Sequence, residues 1–259
     1  MSANSLCRAD LHLHTNLSTC APSTTVVESY LPYCEDEGVE VLGIANHLYG
    51  GKGVEHVLKV REEIATLNSE WQQKILVGCE AEVYYGKEPT ITKSEADGLD
   101  YLLLAPSHIF NQMGYYKEFD LSTSEKIRDL LLENFKYACS WNLGVPTAIC
   151  HPLYPIVAPK QQEILDLMTD EQLVDCYSLA AKTGKSIEVH ACVYRNSVDL
   201  DEEGLSPSYI RMLSIAKACG CKFHFGSDAH NPDAFCGKHR LLERAAERAG
   251  IEKKDLWKF

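Results

Sequence analysis

The stretch Ala9-Asp-Leu-His-Leu-His14 decides how the rest of the chain is interpreted. Leucines alternate with histidines through it, and such alternation is typical of a β-strand. The side chains of His12 and His14 then point to the same face, because residues two positions apart in a strand lie on one side. The stretch therefore predicts a first strand that delivers two imidazoles to one place.

Further apolar runs follow along the chain and alternate with amphipathic helical stretches. We predict strands over residues 9–14, 41–47, 75–82, 101–108, 147–151, 186–190 and 222–230. Repeated βα units indicate a parallel sheet, and no glycine-rich phosphate loop follows the first strand, which favours a barrel over an open doubly wound sheet. The expected fold is a distorted (β/α)7 TIM-like barrel of the α/β class, with residues 1–259 as a single domain.

The composition limits the classes of partner. The 259 residues are 45% hydrophobic, enough for a large core, and carry a formal net charge of −12. No stripe of lysine and arginine is present, so we expect no nucleic-acid polymer as a partner. The first residues lack the features of a signal peptide, and no apolar run approaches the roughly 18 residues of a membrane span. We therefore expect a cytoplasmic protein without a membrane partner; the sequence indicates no oligomeric state.

The eleven cysteines are odd in number and form no Cys-x-x-Cys pair. Without signs of secretion, a disulfide framework is not expected. Thiols expected to be buried in the core are those of Cys7, Cys34, Cys139, Cys176, Cys219 and Cys221.

Most of the histidines share one position, the carboxyl end of a predicted strand. They are His12, His14, His47, His108, His151, His190 and His230, and the acids Glu80 and Asp228 lie at equivalent places. Because the carboxyl ends of barrel strands converge on one mouth, these side chains are expected to meet there. Imidazole and carboxylate suit Zn²⁺, Mn²⁺ or Fe²⁺, so the pattern predicts a metal centre. In contrast, His56 and His239 fall in predicted helices and are expected at the surface, and His224 is expected to be structural.

Six short motifs, in this order, carry a family resemblance. They are Asp10-Leu-His-Leu-His-Thr-Asn-Leu-Ser-Thr-Cys20, Gly43-Ile-Ala-Asn-His47, Gly78-Cys-Glu80-Ala, Ser107-His108, Cys150-His151-Pro152 and Gly226-Ser-Asp228-Ala-His230. Together they resemble the polymerase and histidinol phosphatase (PHP) superfamily over nearly the whole chain. The resemblance implies a distorted (β/α)7 barrel with two or three divalent metal ions, zinc, manganese or iron.

The resemblance also implies which side chains are metal ligands. One ion would be held by His12, His14, Glu80 and Asp228, and a second by Glu80, His108 and His151. His47 and His230 would contribute to a third site, beside Cys20. The family often has histidine where this chain has Cys20; a thiolate is a competent ligand for zinc or iron, and the alternative is a buried thiol beside a two-metal centre. The family also commonly has aspartate where this chain has Asn46.

The activity implied by the resemblance is metal-dependent hydrolysis of a small phosphomonoester, as in histidinol phosphatases. Two ions about 3.5–4 Å apart would generate hydroxide from a shared water. We expect His230 first and His190 second as the acid that protonates the leaving group, and Asp228 as an essential part of the centre. The cations expected to bind the phosphate are Arg195 and, second, Lys52.

Three alternatives remain open at this stage. A phosphodiesterase or cyclic-phosphate hydrolase would use the same metal centre. A C–N hydrolase of the amidohydrolase type also has His-x-His on its first strand, but usually has a modified lysine where the fourth predicted strand here ends in His108. A non-catalytic metal-binding accessory domain is the third.

Overall fold

Parallel strands alternate with helices through the described part of the chain, which in this computed structural model comprises residues 5–48, 53–109, 119–194 and 197–258. The strands are β1 (Ala9–Leu13), β2 (Val41–Ile44), β3 (His47–Leu48), β4 (Ile75–Val77), β5 (Glu80–Glu82), β6 (Leu102–Ala105), β7 (Thr147–Ile149), β8 (Ser186–His190) and β9 (Lys222–Gly226). Every paired neighbour is parallel, and within each of the two sheets the strands are arranged in chain order.

The second and third predicted strands are each broken into two. One stretch gives β2 and β3, the other β4 and β5, so that one sheet holds β1, β2 and β4 and a second holds β3 and β5 to β9. Close packing inside the barrel accompanies the break: a Cβ on Gly78 would lie 2.3 Å from the ring of Tyr101. The Tyr101 hydroxyl crosses the interior and donates to the carbonyl of Leu11 at 2.6 Å.

The two ends of the strand series meet beside β1. A parallel bridge joins Leu13 to Ala229, just after β9, and the amide of His14 donates to the Ala229 carbonyl at 3.0 Å. The hydroxyl of Tyr30 lies within 3.0 Å of both the His14 and the Ala229 carbonyl oxygens and secures this junction. Seven strand positions, two of them split, therefore surround one interior, and the predicted (β/α)7 TIM-like fold is confirmed.

Helices cover the outside of the strands. They are α1 (Leu31–Glu37), α2 (Val54–Leu58), α3 (Val60–Ala65), α4 (Ser69–Gln72), α5 (Lys93–Ala96), α6 (Ser124–Ser140), α7 (Gln161–Asp166), α8 (Asp170–Lys182), α9 (Pro207–Ala218), α10 (Pro232–Phe235) and α11 (His239–Arg248). In the described ranges, no helix combines the length and the apolar character that crossing a bilayer requires. Five of the six thiols expected in the core are buried, but Cys219 is only half-buried because it caps the end of α9.

Candidate metal centre

The predicted ligands gather at the carboxyl ends of the strands. His12 lies in β1, with His14 just after it; His47 begins β3; Glu80 begins β5; His108 and His151 follow β6 and β7; His190 ends β8; and Asp228 and His230 follow β9. Their rings pack against one another: the centroids of His14 and His230 are 4.3 Å apart, and those of His108 and His151 are 4.5 Å apart. The convergence predicted from strand ends is thus present in the structure.

Glu80 is the centre of this cluster and is fully buried. Its Oε2 lies 2.9 Å from Nδ1 of His47, 3.2 Å from Nε2 of His12 and 3.4 Å from Nε2 of His14. Its Oε1 lies 2.7 Å from Nε2 of His151 and 3.5 Å from Nε2 of His108. Although burial raises the pKa of a carboxyl group, the surrounding imidazoles, His47 first, hold the pKa of Glu80 well below its usual value.

Asp228 faces the same space from the opposite wall. Its Oδ1 lies 3.2 Å from Nε2 of His14, and its Oδ2 lies 3.4 Å from Nε2 of His190. The backbone of Asp228 is left-handed, with φ of 55°, a conformation that aspartate tolerates better than most residues but that still costs about 1 kcal/mol or more. The turn after β9 therefore adopts an unfavourable backbone conformation that directs this carboxylate towards the imidazoles.

Several polar atoms of the cluster are buried without a satisfactory partner. Among the described residues, Nε2 of His12, His14 and His190 and Oε2 of Glu80 make no hydrogen bond of normal geometry. Leaving such atoms unpaired in a protein interior is costly. Ligand atoms come within 4.8 Å of one another in groups such as His12, His14 and Asp228, or His47, Glu80 and His108. Nitrogen and carboxylate donors with these spacings fit divalent transition-metal ions.

The outward nitrogens of the imidazoles show which ring atoms are free to bind a metal. Nδ1 of His12 lies 2.8 Å from Glu188, and Nδ1 of His108 lies 2.7 Å from Glu82. Nδ1 of His230 lies 2.9 Å from the carbonyl oxygen of Asp228. Each of these partners accepts, so Nδ1 carries the proton and the lone pair of the neutral ring is on Nε2.

His14 has the same arrangement through a serine. The hydroxyl of Ser18 donates to Oδ1 of Asn46 at 2.9 Å, so its oxygen accepts from Nδ1 of His14 at 3.2 Å and from the amide of His47 at 3.0 Å. Asn46, where the family commonly has aspartate, thus orients two candidate ligands by way of Ser18.

His190 is different. The backbone amide of Cys192 donates to its Nδ1 at 3.1 Å, so the lone pair of this ring lies on Nδ1 and the proton of the neutral form on Nε2. That proton points towards Oδ2 of Asp228. His190 therefore presents a donor to the site, whereas His12, His14, His108 and His230 present an acceptor.

Three buried acids that support the cluster were not singled out from the sequence as supports. Glu188 accepts from Nδ1 of His12 and from the amide of His151, at 2.6 Å for the latter. Burial raises its pKa, but His12 and His190 beside it bring the pKa of Glu188 down to about 2. The other two acids are Glu82 and Asp10. The sequence held one signal for them: each lies two positions from a candidate ligand on a strand, as Glu188 does from His190.

Asp10 ties the centre to the last helix. Its Oδ1 accepts from the amides of His12 and Ser227 at 3.0 and 3.2 Å, and its Oδ2 lies 2.8 Å from Nε2 of His239. Nδ1 of His239 lies 3.2 Å from Glu37. The expectation that His239 lies at the surface is wrong: it is 1% exposed, because its ring lies between Asp10 and Glu37 and packs against Phe235. His56 is half-buried, and its Nε2 contacts the carbonyl of Leu17 at 2.7 Å.

Cys20 lies at the edge of the cluster, beside His47 and His230. The residue is exposed, and its thiol is partly buried. Partial burial of the sulfur raises its pKa, but hydrogen bonds with His230 and His47 lower the pKa of Cys20 to about 6. The two predicted phosphate-binding cations, Arg195 and Lys52, lie outside the described residues.

A TIM-like barrel whose strand ends gather imidazoles and carboxylates around one buried glutamate defines the class of metal-dependent phosphoesterases. The sequence matches the family model of the PHP domain over residues 10–191, well over half of the chain, and the protein belongs to the PHP family. β9, Asp228 and His230 lie beyond the matched range.

Two solved structures share the fold. The histidinol phosphate phosphatase of Lactococcus lactis subsp. lactis Il1403, complexed with zinc, L-histidinol and phosphate, has a TM-score of 0.64 at 16% identity, over 95% of this chain and 94% of that chain. The putative histidinol phosphatase of Listeria monocytogenes has a TM-score of 0.63 at 15% identity, over 90% of this chain and 99% of that chain. No curated protein matches the sequence.

Proposed function

We propose that the protein hydrolyses a small phosphomonoester at the histidine cluster. The observation that carries the proposal is the environment of Glu80, a buried carboxylate within 3.5 Å of five imidazoles. Two of these, His12 and His14, have no hydrogen-bond partner for Nε2 among the described residues. Cations bound among these nitrogen and oxygen atoms would stabilise the folded protein. The family and the zinc-, histidinol- and phosphate-bound relative of the same fold support a phosphorylated small molecule as the substrate.

The residues that would hold the ions divide into three groups. His12, His14, Glu80 and Asp228 would hold one, and Glu80, His108 and His151 a second, with Glu80 shared between them. His47 and His230 would hold a third, together with Cys20. Bound divalent ions would supply Lewis acidity, a water of lowered pKa and a positive field for phosphoryl oxygens.

The protein's own side chains orient the histidines that would bind metal and supply a hydrogen-bond donor to the site. Glu188, Glu82 and Ser18 hold His12, His108 and His14 with their Nε2 lone pairs directed inward. His190 holds a proton on Nε2, directed into the site, and we assign it as the hydrogen-bond donor to the leaving oxygen of the ester. His230, the first candidate from the sequence, has its lone pair on Nε2 instead and suits a metal ligand. Arg195 and Lys52 remain the predicted phosphate-binding cations.

The test combines metal content with phosphate release. The protein is purified without added metal, its bound metals are measured by elemental analysis, and phosphate release from a panel of mono- and diesters is followed with added Zn²⁺ or Mn²⁺. Two or three ions per chain, and chelator-sensitive release of phosphate from monoesters in preference to diesters, are expected.

Two variants anchor this test. Glu80→Gln is expected to lose both metal and activity, because it removes the charge shared by two ion sites. His56→Asn, a half-buried histidine outside the cluster, is the matched control and is expected to keep both. Full activity of Glu80→Gln, or preferential hydrolysis of diesters, would contradict the proposal.

A further inference from the structure

A cavity of about 400 Å³ lies at the end of the barrel opposite the histidine cluster. Its walls come from the end of α6, the residues leading into β7 and β8, and Trp257 near the end of the chain. These residues precede β7 and β8, whereas the metal centre follows the strands. The cavity is therefore separate from the proposed active site.

Lys185 contributes a charge that the cavity does not balance. The residue is 7% exposed, and its ammonium makes no hydrogen bond or ion pair with any residue in the described ranges. Burial lowers the pKa of Lys185. None of the lining side chains that the structure describes is a carboxylate, although the whole chain carries a net charge of −12. An ammonium that faces a cavity without a counter-ion attracts negative charge, so an anion from outside the chain would be stabilised here.

A second donor on the wall is also without a partner. Nε1 of Trp141 is buried and has no acceptor among the described residues. The hydroxyls of Thr147 and Thr183 on the same wall donate to the carbonyls of Val145 and Leu179 at 2.8 and 2.9 Å. The cavity thus offers one ammonium and one indole N–H, with the indole of Trp257 as a further wall.

We infer that this cavity binds a small aromatic carboxylate. One carboxylate balances one ammonium and has two oxygens, of which one can accept from Lys185 and the other from Nε1 of Trp141. A planar ring suits the two indole walls, and 400 Å³ lies within the range of small-molecule sites. The assignment is independent of the proposed phosphatase activity, because no residue of the metal centre takes part.

The probe is benzoate, titrated into the purified protein by isothermal titration calorimetry, with neutral benzamide as the matched ligand and inorganic phosphate as a second anion. Saturable binding of benzoate alone is expected. Lys185→Met, which keeps the chain length and removes the charge, should weaken benzoate binding at least about tenfold. Trp141→Phe, which keeps a ring and removes the N–H, should weaken it several-fold, and it reports on the site even if Lys185→Met does not fold.

His14→Ala separates this site from the metal centre, where a bound cation would also attract a carboxylate. It is expected to bind benzoate with the affinity of the wild type. The proposal is overturned if benzoate does not bind saturably, if Lys185→Met and Trp141→Phe bind it like the wild type, or if His14→Ala abolishes binding. Phosphate binding that depends on Lys185, in place of benzoate, would overturn the carboxylate assignment.

Discussion

Glu188 accepts a hydrogen bond from Nδ1 of His12 at 2.8 Å, from the side of the ring that faces away from Glu80. The two residues come from β8 and β1, and both are fully buried. A Cβ on Gly226 would lie 1.9 Å from Oε1 of Glu188, so only glycine in β9 leaves room for the carboxylate. The contact fixes the tautomer of His12, and with it the inward lone pair.

Glu188→Gln is therefore expected to weaken metal binding about 10- to 100-fold without removing a proposed ligand. The glutamine amide cannot accept from both His12 and the amide of His151, so one of these donors loses its partner. Competition with a chromogenic zinc chelator measures the affinity. Glu163→Gln, an exposed acid in α7, serves as the control and should bind zinc like the wild type. An unchanged zinc affinity in Glu188→Gln would show that this carboxylate does not orient a ligand.

His190→Ala should impair hydrolysis according to the leaving group. The departing oxygen of an alkyl phosphate is strongly basic and gains most from the Nε2–H donor of His190, so its kcat is expected to fall about a hundredfold or more. The nitrophenolate of p-nitrophenyl phosphate leaves without an acid, and its kcat should fall much less. Metal content, measured on the same sample, should not change. Equal losses for both substrates, or loss of metal, would argue instead that His190 is a ligand.

Cys20 should react with iodoacetamide in a metal-dependent way. In chelator-treated protein the thiol of Cys20, an exposed residue beside His47 and His230, is expected to be alkylated, whereas bound zinc should protect it. Peptide mass spectrometry follows the modification of each thiol separately. Cys219, half-buried at the end of α9, is the internal reference, and its reactivity should not depend on zinc. Alkylation of Cys20 at the same rate with and without zinc would remove it from the proposed ligands.

The contact of His239 with Asp10 and Glu37 should make stability depend on pH. Burial lowers the pKa of His239, but hydrogen bonds with Asp10 and Glu37 outweigh this and raise it from 6.5 to about 9. The protonated ring therefore stabilises the folded state fully below pH 6.5, and this contribution is lost as the pH rises through 9. The shift corresponds to about 3 kcal/mol at most.

The measurement compares urea unfolding of the wild type and His239→Gln across this pH range. The free energy of unfolding of the wild type, relative to the variant, is expected to fall as the pH rises from 6.5 to 9. A difference between the two proteins that stays constant with pH would mean that His239 is not protonated between its carboxylates.

The strand ends and the residues on them were predictable because both depend on short-range order. Alternation within a strand places His12 and His14 on one face, and the topology of a βα barrel brings all strand ends to one mouth whatever the details of packing. The breaks at Gly78 and between β2 and β3 were not predictable in this way. At Gly78 a Cβ would meet the ring of Tyr101, and this contact across the interior is not specified by local sequence.

The sequence by itself determined the fold class and the chemical types that meet at the mouth. Only the tertiary structure decided which imidazole nitrogen faces inward and that His239 is buried. It also decided that His190 directs an N–H into the site, whereas His12 and His14 direct a lone pair. These outcomes rest on contacts between distant parts of the chain: His12 and Glu188 are 176 positions apart, and Asp10 and His239 are 229 positions apart. Local patterning carries no information on such pairs, because a hydrogen bond is set by the position and direction of both partners in space.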